Sequence, residues 1–117
     1  MNIWIKGELY VELESGLRIS PRLIALLRLV EETGSLNTAV KDLGLSYSHT
    51  WNTLYKINCQ LNAPIIVTKR GGKGGGTAYL TPSGQSLVRQ YETLRADFNA
   101  FLHAHKIDID TPEDDKQ

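Results

Sequence analysis

The apolar positions of the chain change period in a fixed order. Between Ile3 and Glu14, the apolar residues Ile3, Ile5, Leu9, Val11 and Leu13 have Lys6, Glu8, Glu12 and Glu14 largely between them. That period of two predicts a half-buried strand, interrupted at Gly7 and broken at Ser15-Gly16. Ser20-Pro21 predicts a helix start, because Ser offers an oxygen to orphan amides and Pro loses no hydrogen bond in the first turn. Leu23, Ile24, Leu26, Leu27 and Val30 form its apolar face up to Thr33-Gly34. Ser35 caps a second helix with Leu36, Ala39, Val40 and Leu43 at i, i+3, i+4 and i+7, stopped by Gly44. Ser46 caps a third, with Trp51, Leu54, Ile57 and Leu61 on one side and Pro64 as its bound. Ile65 to Val67 and Ala78 to Leu80 then read as strands around a glycine-rich turn. Thr81-Pro82 opens a last helix carrying Leu87, Val88, Tyr91, Leu94, Phe98, Phe101 and Leu102.

Length and composition narrow the class. The 117 residues, 41% of them hydrophobic, fit one domain with one core. We place that domain at residues 1–105 and an acidic flexible tail at 106–117. A single Cys excludes a disulfide framework and a four-Cys zinc site. No apolar run has signal-peptide or membrane-spanning length, so a soluble cytoplasmic protein is expected, with no membrane partner.

The formal charge is zero, with 13 basic and 13 acidic residues. Taken alone it points away from nucleic acid, but the charges are segregated. Residues 1–42 carry a net −1, residues 43–91 a net +5 without one acid, and residues 92–117 a net −4. The middle segment is a local positive field.

That segment contains GSLNTAVKDLGLSYSHTWNTLYK, two short helices around a tight Gly turn, which is the form of a helix-turn-helix. Small Ala39 suits the place where the two helices cross. Thr50, Leu54, Ile57 and Leu61 suit the core side of the second helix. Ser46, Tyr47, Ser48, His49, Asn52, Thr53 and Lys56 are left outward, a set able to meet base edges and phosphates, with the cap Ser35 beside them. An ordinary helical hairpin with a solvated face would normally carry Glu there. A basic hairpin with Lys69, Arg70 and Lys73 follows where the wing of a winged helix stands, and glycine lets main-chain amides approach phosphate. The expected fold is therefore mostly α with a small β-hairpin: a winged helix-turn-helix with an N-terminal strand and a long C-terminal dimerisation helix. The expected partner is double-stranded DNA.

Other chemistry finds little support. In GGKGGG the Lys is followed by Gly, not the Ser or Thr a phosphate-binding loop needs for magnesium. His103 and His105, two apart on a helix, do not share a face, so no metal and no cofactor is expected. No nucleophile, base and acid come together, so no catalytic site is expected. Cys59 reads as a small buried or half-buried helix residue, and Trp51 as packed at the base of the recognition helix. Tyr91, Leu94, Phe98, Phe101 and Leu102 are too many apolar side chains for one side of so small a monomer. We read them as a homodimer seam, unless the N-terminal strand folds over them within one chain. A winged helix that docks proteins without touching DNA is the alternative.

The run from Ser20 to Leu102 also resembles the N-terminal DNA-binding domain of the ModE family of molybdate-responsive regulators, relatives of LysR-type winged helices. The matching features are the N-terminal strand, GSLNTAVKDLGLSY with Trp51, and the wing GGKGGGTAYLTPSGQSL. The resemblance implies a dimeric regulator on a palindromic operator, paired through the first and last helices, which brings Leu23 and Leu27 into the seam. The family's C-terminal molybdate-binding domains have no counterpart here, so no molybdate site is expected in this chain. His49 stands where a small residue is expected.

Overall fold

In a computed structural model, which describes residues 1–69 and 76–109, four helices and two short antiparallel hairpins follow one another. Arg70, Lys73 and the tail from residue 110 lie outside the described residues. Each helix starts at the cap the sequence marks. Ser20 Oγ accepts from the Leu23 amide at 3.1 Å at the head of α1 (Pro21–Thr33). Ser35 Oγ accepts from Thr38 at 3.1 Å before α2 (Leu36–Asp42), and Ser46 Oγ from His49 at 3.3 Å before α3 (Tyr47–Gln60). Thr81 Oγ1 accepts from Gly84 at 3.1 Å before α4 (Pro82–Ala104).

The core gathers around α1. Its Leu26, Leu27 and Val30 are fully enclosed by Ala39 and Val40 of α2, Leu54 and Ile57 of α3, and Val88 and Tyr91 of α4. Removing each such aliphatic side chain from water contributes ~1.5–3 kcal/mol, more than the ~1 kcal/mol of a typical cap. Packing therefore sets the stability, and the caps set where each helix begins.

The second hairpin closes the core. Its strands β3 (Ile66–Lys69) and β4 (Thr77–Leu80) pair antiparallel with Ile66 opposite Leu80 and Lys69 opposite Thr77. Ile66, Ala78 and Leu80 point inward, and Tyr79 and Lys69 are exposed. Ala78 N donates to Gly34 O at 2.9 Å, tying the hairpin to the end of α1. Where α4 begins it lies against the backbone of Ile65: a Cβ at Gly84 would stand 2.0 Å from Ile65 O. The result is a mostly α winged helix with a long C-terminal helix.

Two expectations are corrected. The N-terminal strand shrinks to β1 (Val11–Glu12), paired with β2 (Arg18–Ile19), which the sequence did not announce. Residues 1–10 keep the alternation, with Ile5 and Leu9 half-buried, but form no ladder, because one chain gives them no strand to pair with. Leu23, Leu27 and Tyr91, expected in the seam between two copies, instead belong to the chain's own core at 8%, 0% and 2% exposure. The first half of α4 packs on α1 and uses up those faces. Tyr91 Oη donates to Leu9 O at 2.5 Å, and burial pushes its phenol above the usual range. In the second half of α4, Leu94 and Phe101 remain exposed while Phe98 and Leu102 are half-buried beneath the arm near Gly7.

Candidate nucleic-acid interface

The turn between α2 and α3 is built from local chemistry. Gly44 sits at φ +66°, a left-handed conformation that glycine adopts without a Cβ penalty. Leu45 N then reaches back to Val40 O at 2.8 Å, the six-to-one bond of a Schellman motif. Arg22 of α1 donates to Leu43 O, placing a cation on the carbonyl end of α2. The orientation of α3 is thus fixed at its N-terminal end before any ligand arrives.

Around α3, Thr50, Leu54 and Ile57 face the core. A helix turns about 100° per residue, so Ser48, Asn52, Tyr55, Lys56 and Cys59 fall on the far side, and all five are exposed. Cys59 is therefore corrected from buried or half-buried to exposed, since it lies half a turn of the wheel from the core side. Tyr47 and Trp51 are also exposed and flank the side toward the hairpin. On the opposite flank His49 is exposed and Thr53 half-buried, with Thr53 Oγ1 donating to His49 O at 3.0 Å. Ser35 uses one lone pair on its helix and keeps a hydroxyl proton to donate outward, while the Ser46 hydroxyl also lies 3.5 Å from that of Ser48. No side chain of α3 is acidic.

The hairpin is held to α3 by one side chain that the sequence reading missed. Asn58 Oδ1 accepts from Ile65 N at 2.9 Å, and its Nδ2 donates to Ile66 O at 3.0 Å. The amide thereby plays the part of a neighbouring strand's peptide group. Thr81 Oγ1 adds a bond to Pro64 O at 2.6 Å. Between α2, α3 and the hairpin runs a groove of about 610 Å³, lined by Asn37, Tyr47, Ser48, Trp51, Asn52 and Lys69 among others. Lys69 also stands 6.0 Å from the centre of the Tyr79 ring. Trp51 stacks on Tyr55, ring centres 5.4 Å apart and planes 8° from parallel, and stays exposed on the groove. The i, i+4 spacing of Tyr47, Trp51 and Tyr55 was the signal for that stripe.

The structure thus brings Tyr47, Ser48 and Asn52 to the groove with Lys69 across it, leaves Ser46 exposed at the head of the helix and turns Lys56 toward the far flank. It leaves His49 and Thr53 on the other flank. Hydroxyls and an amide suit base edges, and ammonium groups suit phosphates. Among the described residues no cluster of three potential metal ligands occurs, and no helix is long and apolar enough to cross a membrane.

No family model matches the chain. It is 40% identical over 87 residues to the DNA-binding transcriptional dual regulator ModE of Escherichia coli, covering 74% of this chain and 33% of that protein. It is 38% identical over 82 residues to the molybdenum-pterin-binding protein MopB of Rhodobacter capsulatus, covering 70% and 30%. The molybdenum transport protein ModE of Herbaspirillum seropedicae is 37% identical over 92 residues, covering 79% and 34%. The chain spans about a third of the length of the curated relatives it matches.

Proposed function

From the premise that the chain is homologous to the N-terminal region of ModE and MopB regulators, we propose that it is a cytoplasmic DNA-binding transcriptional regulator acting as a homodimer on a palindromic operator. The observation that carries the proposal is the acid-free outer face of α3, set rigidly beside Lys69 of the hairpin. In this proposal Ser48 and Asn52 reach base edges in the major groove. Ser35, Ser46, Tyr47, Lys56 and Lys69 hold phosphates, as would Arg70 and Lys73, and His49 and Thr53 meet the strand on the opposite flank. Asn presents a donor and an acceptor side by side, which matches adenine N6 and N7. Leu94, Phe98, Phe101 and Leu102 would pair two copies, spacing their recognition helices roughly 34 Å apart or a multiple of it. The proposal assigns no molybdenum site, no cofactor and no catalytic group to these residues.

Selection from a random duplex library at physiological salt tests it. Enrichment of a two-fold symmetric sequence is expected. On that sequence Asn52→Ala should change base preference at one position per half-site, and Lys69→Ala should weaken all duplexes and lower the salt slope. A soluble dimer that enriches nothing would favour the protein-docking alternative.

A further inference from the structure

Duplex recognition gives a role to Tyr47 but none to Trp51 and Tyr55, the rest of the exposed aromatic stripe of α3. Tyr47, Trp51 and Tyr55 keep 46%, 39% and 57% of their surface exposed, side by side at four-residue spacing. Leaving three large rings in water on one side of a short helix marks a contact surface. Its surroundings name the occupant's charge: residues 43–91 contain no acid, and Lys69 lines the groove together with Tyr47 and Trp51. Its geometry names the occupant's shape. A base-paired duplex offers groove edges and phosphates, while the faces of its bases are sealed inside the stack. Aromatic rings in a basic groove fit the open faces of unpaired bases. Four residues of helix rise ~6 Å, against ~3.4 Å per nucleotide of a stacked strand, so the stripe suits an extended strand. The groove beside Tyr47 and Trp51, about 610 Å³, has room for more than one base.

We propose that the groove between α3 and the hairpin is a binding site for single-stranded DNA, whose unpaired bases stack on Tyr47, Trp51 and, beyond the groove, Tyr55, while its phosphates lie along Lys69. The site shares Tyr47 and Lys69 with the operator reading, whereas Tyr55 is not among the residues assigned to the duplex. The stacked Trp51 and Tyr55 rings form one continuous platform, which leaves the groove-side face of Trp51 and the outer face of Tyr55 for bases.

The test uses the full chain with Trp4→Phe, which leaves Trp51 as its sole tryptophan. A fluorescein-labelled oligothymidylate of about 12 nucleotides and a mixed-sequence duplex are titrated at low salt, following anisotropy and Trp51 emission. The oligothymidylate is expected to bind saturably and quench Trp51. Tyr55→Ala should weaken it about tenfold or more, Tyr55→Phe should restore it, and neither should change duplex affinity. Tyr55 is exposed, so truncating it leaves the fold intact, which circular dichroism verifies. Four results would overturn the site: no oligothymidylate binding, binding without quenching, indifference to Tyr55→Ala, or an equal loss on both probes. Duplex binding without single-strand binding overturns this site alone, and single-strand binding without duplex binding overturns only the operator reading.

Discussion

Two helices, α3 and α4, expose aromatic side chains, and they do so in opposite ways. On α3 the exposed rings sit in an acid-free setting, on a helix pinned by the Arg22 bond to Leu43 O and by Asn58. On the second half of α4, Leu94 and Phe101 are exposed beside an N-terminal arm whose residues 1–10 take part in no strand ladder. The first region is finished and polar around its rings, which fits a hydrated polyanion. The second is apolar and incomplete in both side-chain cover and strand pairing, which fits a second protein surface. Exposure alone does not name a partner; what surrounds the exposed group does.

The sharpest way to break the comparison is at the junction that holds the first region together. Gly84→Ala puts a Cβ 2.0 Å from Ile65 O, backbone against backbone, and is expected to cost about 3 kcal/mol or more in a urea melt. A full-stability variant would mean that α4 does not rest on the hairpin. In the second region, Leu94→Glu with Phe101→Glu should leave melting of the chain nearly unchanged and lower self-association at least tenfold in sedimentation. If the variant remains dimeric, the seam lies elsewhere.

These two effects also divide what was legible. Helix starts were written locally: Ser20-Pro21, Ser35, Ser46 and Thr81-Pro82 each need only their own next turn. The partner of an apolar face is written elsewhere in the chain. Leu27 and Tyr91 carry the same sequence signal as Leu94 and Phe101, yet only the crossing of α1 and α4 decides which are core. The strand expected from Ile3 is shortened to Val11–Glu12 for a similar reason, since alternation specifies a face and not a partner for its amides. Asn58 gave no signal, because any polar helix residue reads as solvated until a strand is known to lie beside it. Cys59 could have been placed from the helical wheel, half a turn from the Thr50, Leu54 and Ile57 side.

A smaller effect tests the pinning itself. Asn58→Ala removes two part-buried hydrogen bonds and should cost about 2 kcal/mol in chemical denaturation. On duplex DNA it should also lower the salt slope as Lys69→Ala does, with the double variant no worse than either single. Strict additivity would show that the hairpin needs no tether. Smallest of all, Tyr91→Phe deletes the bond to Leu9 O and should cost about 1 kcal/mol. Burial raises the Tyr91 phenol in the folded state, so its contribution is present below the ordinary tyrosine pKa near 10. It is lost as pH rises through the higher folded value. Stability should thus fall more steeply at alkaline pH in the native chain than in Tyr91→Phe.

One residue links the first helix and the hairpin in time as well as in space. Gly34, at φ +73°, ends α1 with its amide on Val30 O and offers its carbonyl to Ala78. A slip of one residue in β4 would turn Ala78 and Leu80 outward and Tyr79 into the core. The carbonyl that guards against this slip takes its position only after α1 has terminated. Pairing of the hairpin in its native register therefore waits on the first helix, and the Ala78 amide should become protected from hydrogen exchange no earlier than that of Gly34.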